Sequence, residues 1–208
     1  MVTRGLPWVR VVALVAVACF FGGAVGYVLG TGRAPSEGSV DVGFYRDMTV
    51  HHDQAIQMAV IELSNGENSV VRSFAKEILI FQRWEMGRMY ERLRGWGVTT
   101  EPPTTAMAWM GMPVQTEAMP GLATPDQLRA LQAARGTSAD GMFLELMAAH
   151  HLGGIHMAAY AAKHADRADV RDLADAMGRN QGSDIGELRQ TAERFGLDAT
   201  IPPYSPAV

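Results

Sequence analysis

A chain of 208 residues that is 48% hydrophobic has room for one ordinary core, and its formal net charge of −4 gives no basic footprint for nucleic acid. The single cysteine, Cys19, excludes disulfides and thiolate metal cages from the rest of the chain. Neither a Walker A loop nor a glycine-rich dinucleotide fingerprint is present.

Val11 to Gly30 carries no charge and is long enough to cross a hydrocarbon core. A transmembrane helix or uncleaved signal anchor is therefore expected at 11–30, behind a cytoplasmic tail at 1–10. Arg4 and Arg10 precede the run and only Arg33 lies close behind it. That asymmetry predicts a single-pass protein of the cytoplasmic membrane whose C-terminal domain is extracytoplasmic. A basic start before an apolar stretch also fits a cleaved signal peptide, and either version exports the remainder of the chain. Gly22, Gly26 and Gly30 form a small-residue stripe that could meet another helix, which leaves a homo-oligomer open.

Residues 31–40 are a Gly/Pro/Ser linker. From Asp41 the spacing of Phe44, Met48, Ile56 and Ala59 predicts a helix to about Ser64, stopped by Asn65-Gly66. Asn68 or Ser69 caps the next helix, in which Val71, Phe74, Ile78, Phe81, Met86, Met89 and Leu93 keep helical spacing to Gly95-Trp96-Gly97. Together they make a first hairpin, 41–97. The connector, 98–139, is rich in Pro, Thr and Met, and Thr124-Pro125-Asp126-Gln127 reads as a capping box for a short helix ending at Gly136. A second hairpin, 140–198, has helices from about Asp140 to His164 and from about Asp169 to Phe195. Little of the chain alternates with period two, so no sheet is expected. A lone hairpin cannot bury its apolar face, but two can bury theirs together. The predicted architecture is all-α, a four-helix bundle of two repeated hairpins behind the membrane helix.

The hairpins share a block. DVGFYRDMTVHHDQAIQMA (41–59) and DGMFLELMAAHHLGGIHMA (140–158) align without a gap at an offset of 99, with eight of nineteen residues identical. The identities include Met48/Met147, His51/His150, His52/His151 and Met58/Met157. At about 100° per residue, with His51 at zero, Met48 falls near 60°, His52 near 100° and Met58 near −20°, so all four share one side of the helix. His156 projects to the opposite side from its pair. The second helix of each hairpin adds Gln82-x-x-Glu85 and Gln181-x-x-Asp184, whose spacing puts amide and carboxylate on one face. Facing hairpins would then aim imidazoles, thioethers and carboxylates into a common space, where a bundle core can hold a metal.

The expected metal-site residues are His51, His52, His150, His151, Met48, Met58, Met147, Met157, Glu85 and Asp184. Soft sulfur with imidazole suits copper, while imidazole alone also suits other transition metals. A plainer reading has the methionines as core filler and the histidines, glutamines and carboxylates as a satisfied polar network. Against it stands the desolvation cost of burying four imidazoles and two carboxylates for structure alone. Met107, Met110, Met112 and Met119 fit two readings equally: an exposed methionine tract that captures Cu(I), or a hydrophobic strap over the bundle, which Trp109 favours.

With Met48-x-x-His51-His52-x-x-Ala55-Ile56-x-Met58-Ala59, its second version at Met147 to Ala158 and the Gln-x-x-Glu helix in place, the chain resembles the bacterial family called domain of unknown function 305. The resemblance spans Asp41 to Leu197. It departs from the pattern at Gly154, where alanine is usual, and at Asp184-Ile185. It implies a ferritin-like fold and, from some exported members, copper binding and copper tolerance. The leading reading is a membrane-anchored extracytoplasmic metal-binding protein, with copper or another transition metal as partner, acting in sequestration or handover. The alternatives are a ferritin-like metal-dependent oxidoreductase, weakened by the lack of a Glu-x-x-His motif near the pairs, and a metal-free interaction module.

Overall fold

Four long helices carry the computed structural model of the chain, which describes residues 8–30 and 34–204. The chain divides into two compact units, Met1–Ala34 and Pro35–Val208. In the first lies α1 (Trp8–Gly30). The second contains α2 (Val40–Asn65), α3 (Ser69–Gly95), α4 (Pro125–Ala133), α5 (Thr137–His164) and α6 (Ala168–Phe195).

The structure corrects the membrane expectation. Among the described residues, no helix is long and apolar enough to cross a membrane. The transmembrane helix at 11–30, the membrane as a partner and the single-pass localisation are therefore withdrawn. Arg4 and Arg33, on which the expected orientation rested, lie outside the described residues, as do the surroundings of Gly26 and Gly30.

Local chemistry explains several of the remaining boundaries. Ser39 caps α2 by accepting from the Val42 amide, and Asn68 caps α3 by accepting from the Val70 and Val71 amides. Thr124 and Gln127 form the reciprocal capping box of α4, with Pro125 opening the helix. The helix ends at Ala133, three residues before Gly136. Helix α5 begins at Thr137, one turn earlier than its apolar period suggests. Gly196 closes α6 in the left-handed conformation (φ 61°).

Helices α2 and α5 cross antiparallel at the centre. The first half of α2 (Val42, Phe44, Met48) shares a cluster with the last half of α5 (Met157, Ala158, Ala161), joined by Met86, Met89 and Met177. The second half of α2 (Ala55, Met58, Ile61) shares the other with the first half of α5 (Phe143, Leu144, Met147). The histidine pairs stand between these two apolar clusters. Helices α3 and α6 flank the pair on the outside.

Each hairpin turn is closed by the other hairpin. Asp140, at the start of α5, accepts from the Asn68 amide at 3.1 Å and the Glu67 amide at 3.4 Å, at the entry to α3. Asp41, at the start of α2, accepts from the Arg167 amide at 2.9 Å and the Asp166 amide at 3.2 Å, at the entry to α6. The offset of 99 carries one arrangement onto the other (41 to 140, 67 to 166, 68 to 167). Both aspartates are fully buried, and each satisfies donors that a helix N-terminus would otherwise leave open.

Glu62 sits beside Asp140, buried and without a donor for either oxygen. Gly66 makes room for it: the residue is extended (φ −74°), and a Cβ there would collide with the Glu62 carboxyl. Burial first, then Asp140, push the Glu62 carboxyl up from 4.5 to about 8, with Arg72 opposing. The folded state thus keeps a proton that the unfolded state releases above pH 4.5. The contribution of Glu62 to stability is highest below that value and falls as pH rises to about 8. Replacing Glu62 with Gln is expected to flatten this slope and to leave the variant more stable than the parent at pH 8.5 by a few kcal/mol, each pH unit in the window being worth at most about 1.4 kcal/mol. Urea unfolding of parent and variant between pH 5 and 9 measures it; a stability difference between the two that stays constant across that range refutes it.

The connector folds onto the helices as a strap. Thr105–Ala106 (β1) pairs antiparallel with Val114–Gln115 (β2), a two-residue ladder that corrects the expectation of no sheet. It forms because the buried Asp47 carboxylate fixes the turn between its strands, accepting from the Met107 amide and from Trp109 Nε1, both at 2.6 Å. Met107 adopts a left-handed backbone (φ 60°) to make this bond. Farther along, the Gln54 amide both donates to the Ala123 carbonyl (3.0 Å) and accepts from its N–H (2.6 Å). Met107, Met110 and Met119 are buried in the core and only Met112 of the four is exposed, so the segment is a strap and not an open methionine tract.

Candidate metal centre

Neighbouring histidines in a helix point about 100° apart, so each pair divides its labour. His51 and His150 face the α2–α5 crossing, and their rings stack with centroids 3.7 Å apart and planes tilted by 34°. His52 and His151 turn toward their own hairpins. His52 Nε2 donates to Glu85 at 2.9 Å, and His151 Nε2 donates to Asp184 at 3.0 Å. In both hairpins the two partners are 33 residues apart in sequence. All four imidazoles are completely buried.

Backbone carbonyls hold the stacked pair. His51 Nε2 donates to the Pro120 carbonyl in the connector at 3.3 Å, and His150 Nε2 donates to the His51 carbonyl across the crossing at 2.8 Å. A carbonyl or carboxylate only accepts, so Nε2 carries a proton in all four rings, and in a neutral ring Nδ1 is then a bare lone pair. None of the four Nδ1 atoms has a hydrogen-bond partner, nor do the side-chain carbonyl oxygens of Gln82 and Gln181. Burial, then the neighbouring His52, lower the His51 pKa to about 3. Burial and the adjacent His51 and His151 likewise lower His150 well below the usual imidazole range. These two rings are neutral at any physiological pH, the form in which imidazole binds metals.

The four methionines of the repeated block are completely buried. Met48 and Met157 lie in one cluster and Met58 and Met147 in the other, so thioethers bracket the histidine layer from both ends. Glu85 is nearly closed off, with a side chain 10% exposed, whereas Asp184 is 41% exposed. The structure therefore brings His51 against His150, His52 against Glu85 and His151 against Asp184. It does not gather them into one cage: among the described residues, no group of three or more His, Cys, Asp or Glu is arranged to hold a metal ion. His156, the fifth histidine of these blocks, is exposed.

Two functional contacts escape the sequence reading. The Pro120 carbonyl that orients His51 belongs to the Met119-Pro120-Gly121 segment, and a backbone carbonyl carries no signal in a sequence. Close approach there depends on Gly153, where a Cβ would collide with the Pro120 carbonyl. At Gly154 a Cβ would meet the Gln181 side-chain oxygen, the far end of a flexible side chain.

Known proteins resemble the chain over these same residues. The profile of the family described as Domain of unknown function (DUF305) matches residues 41–192. A DUF305 protein from Streptomyces coelicolor is 32% identical, with a TM-score of 0.74 over 81% of this chain and 100% of that one. A DUF305 fragment from Deinococcus radiodurans is 27% identical, with a TM-score of 0.65 over 74% of this chain and 96% of that one. CopM in its Cu(I)-bound form is 25% identical, with a TM-score of 0.56 over 74% of this chain and 96% of that one. CopM is also known in a silver-bound form. No curated protein sequence matches the chain.

Proposed function

The chain belongs to the DUF305 family, and from that premise we propose that it is a metal-binding protein for copper, which it sequesters or hands on. The observation that carries this reading is the set of four buried Nδ1 lone pairs with no donor facing them. A buried acceptor left bare costs about 1–3 kcal/mol, so four in one layer ask for a ligand that accepts lone pairs. A cation does so. Each Nε2–H is anchored to a carboxylate or a carbonyl, the arrangement that fixes tautomer and ring orientation around protein-bound metals.

His51, His52, His150 and His151 would be the nitrogen donors. Met48, Met58, Met147 and Met157 would supply sulfur from the flanking clusters, a combination that favours copper over harder ions. Glu85 and Asp184 would orient His52 and His151. The copper- and silver-bound forms of CopM, one of the structural neighbours, support this choice of ion.

Titration of the full chain with Cu(I) under anaerobic conditions, against a competing chelator, tests the proposal. Stoichiometric binding with both nitrogen and sulfur scattering in the copper X-ray absorption spectrum is expected. Absence of stoichiometric binding, or copper held without nitrogen scattering, refutes it.

A further inference from the structure

The four histidines are sealed on most sides. Pro120 covers His51, the α2 backbone covers His150, and the apolar clusters close both ends of the layer. On the remaining side α3 and α6 stand apart, and a cleft of about 350 Å³ opens between them. Its lining includes Gln82 and Glu85 from α3 together with Gln181 and Asp184 from α6, the same two positions of each hairpin. Asp184 reaches solvent at the mouth; the two glutamines are 4% exposed and lie deeper, with side-chain oxygens that have no partner. Gln181 passes inward over Gly154, one turn beyond His150 and His151 on α5.

We propose that the cleft between α3 and α6 is the port through which a transition-metal cation reaches the buried histidines, with Asp184 and Glu85 as its first oxygen ligands and the Gln82 and Gln181 carbonyls as its next. The inference rests on the metal-binding reading above. Among the residues lining the cleft, Glu77, Glu85 and Asp184 are acidic and none is basic, so the passage attracts cations and repels anions. Its volume far exceeds that of one water, so an ion can enter while still carrying part of its hydration shell. The way in is unequal. Asp184 is the shorter and more exposed carboxylate, 41% against 10% for Glu85, so the ion enters along the second hairpin.

Stopped-flow measurement of Cu(I) uptake by the full chain, with the ion supplied as a weak acetonitrile complex, tests the port. Ser183 and Asn180 are exposed and line the cleft, so Ser183→Trp and Asn180→Trp put an indole in the mouth without touching the core. Association and dissociation are both expected to slow about tenfold or more with Kd within twofold of the parent, since a narrowed path alters rates and not the end state. Asp172→Trp, on an exposed position of α6 outside the cleft, should leave both rates unchanged. A parent that binds copper and blocked variants that keep its rates overturn the port alone, as does a change in Kd with an unchanged association rate. A parent that binds no copper overturns the port and the metal-binding reading together.

Discussion

Replacing His51 and His150 together by leucine is expected to weaken Cu(I) binding at least about 100-fold, or about 2.8 kcal/mol, without destabilising the metal-free protein. The two halves of that result have separate causes. Binding falls because two of the four bare nitrogens are gone. Stability holds, or rises by a few degrees in Tm, because a leucine of similar volume fills the layer without an unpartnered lone pair, each of which costs about 1–3 kcal/mol when buried. A structural network behaves in the opposite way: losing the bonds from His51 to Pro120 and from His150 to the His51 carbonyl would lower stability by several kcal/mol. Chelator competition and thermal unfolding on the same metal-free samples separate the two. A variant that binds copper as the parent does, or one that unfolds far earlier, sinks the functional assignment of this pair.

A substitution that normally strengthens a helix is expected to harm this one. Gly153 lies inside α5, where alanine in place of glycine is ordinarily worth up to about 1 kcal/mol in favour of folding. Here the added methyl would run into the Pro120 carbonyl and crowd the Gly121 backbone. Neither is a flexible side-chain end, so the strap must lift away. Gly153→Ala should therefore cost at least about 2 kcal/mol, in the range of overpacked cores, and should also weaken copper binding by displacing the acceptor of His51. Gly87→Ala is the matched control: that position, in α3, has nothing within 4 Å of the built Cβ, and the variant should gain about 0.5–1 kcal/mol. Equal urea midpoints for parent and Gly153→Ala would show that the strap gives way freely.

Local chemistry was legible in the chain where local chemistry decides. The 3.6-residue period placed α2, α3, α5 and α6, and the Thr124 capping box was realised as read. Spacing also put Glu85 and Asp184 on the helix faces that meet His52 and His151. What periodicity could not reveal are contacts between distant segments. Asp47 belongs to no sequence motif, yet it accepts from Met107 and Trp109, 60 and 62 residues away in sequence, and so ties the connector to α2. Gly66 read as a helix stop, which it is, and it also leaves space for the Glu62 carboxyl. The apolar run at the N-terminus was misjudged because hydropathy alone was read as a span, whereas no described helix is long and apolar enough to be one. Within the candidate site, residue types and helix faces were readable, but the division into one stacked pair and two carboxylate-bound rings required the crossing of α2 and α5.

The exchange of Asp41 and Asp140 has a consequence for how this molecule could be taken apart. Neither half carries its own lid: the turn of each is fastened by an acid that the other contributes. A fragment bearing one half would remain frayed until it met a complement, so cutting the chain inside the connector should yield pieces that are weak alone and regain their helices on mixing. A single half at high concentration would be driven toward a twin of itself, trading fasteners between two chains as the intact protein does within one.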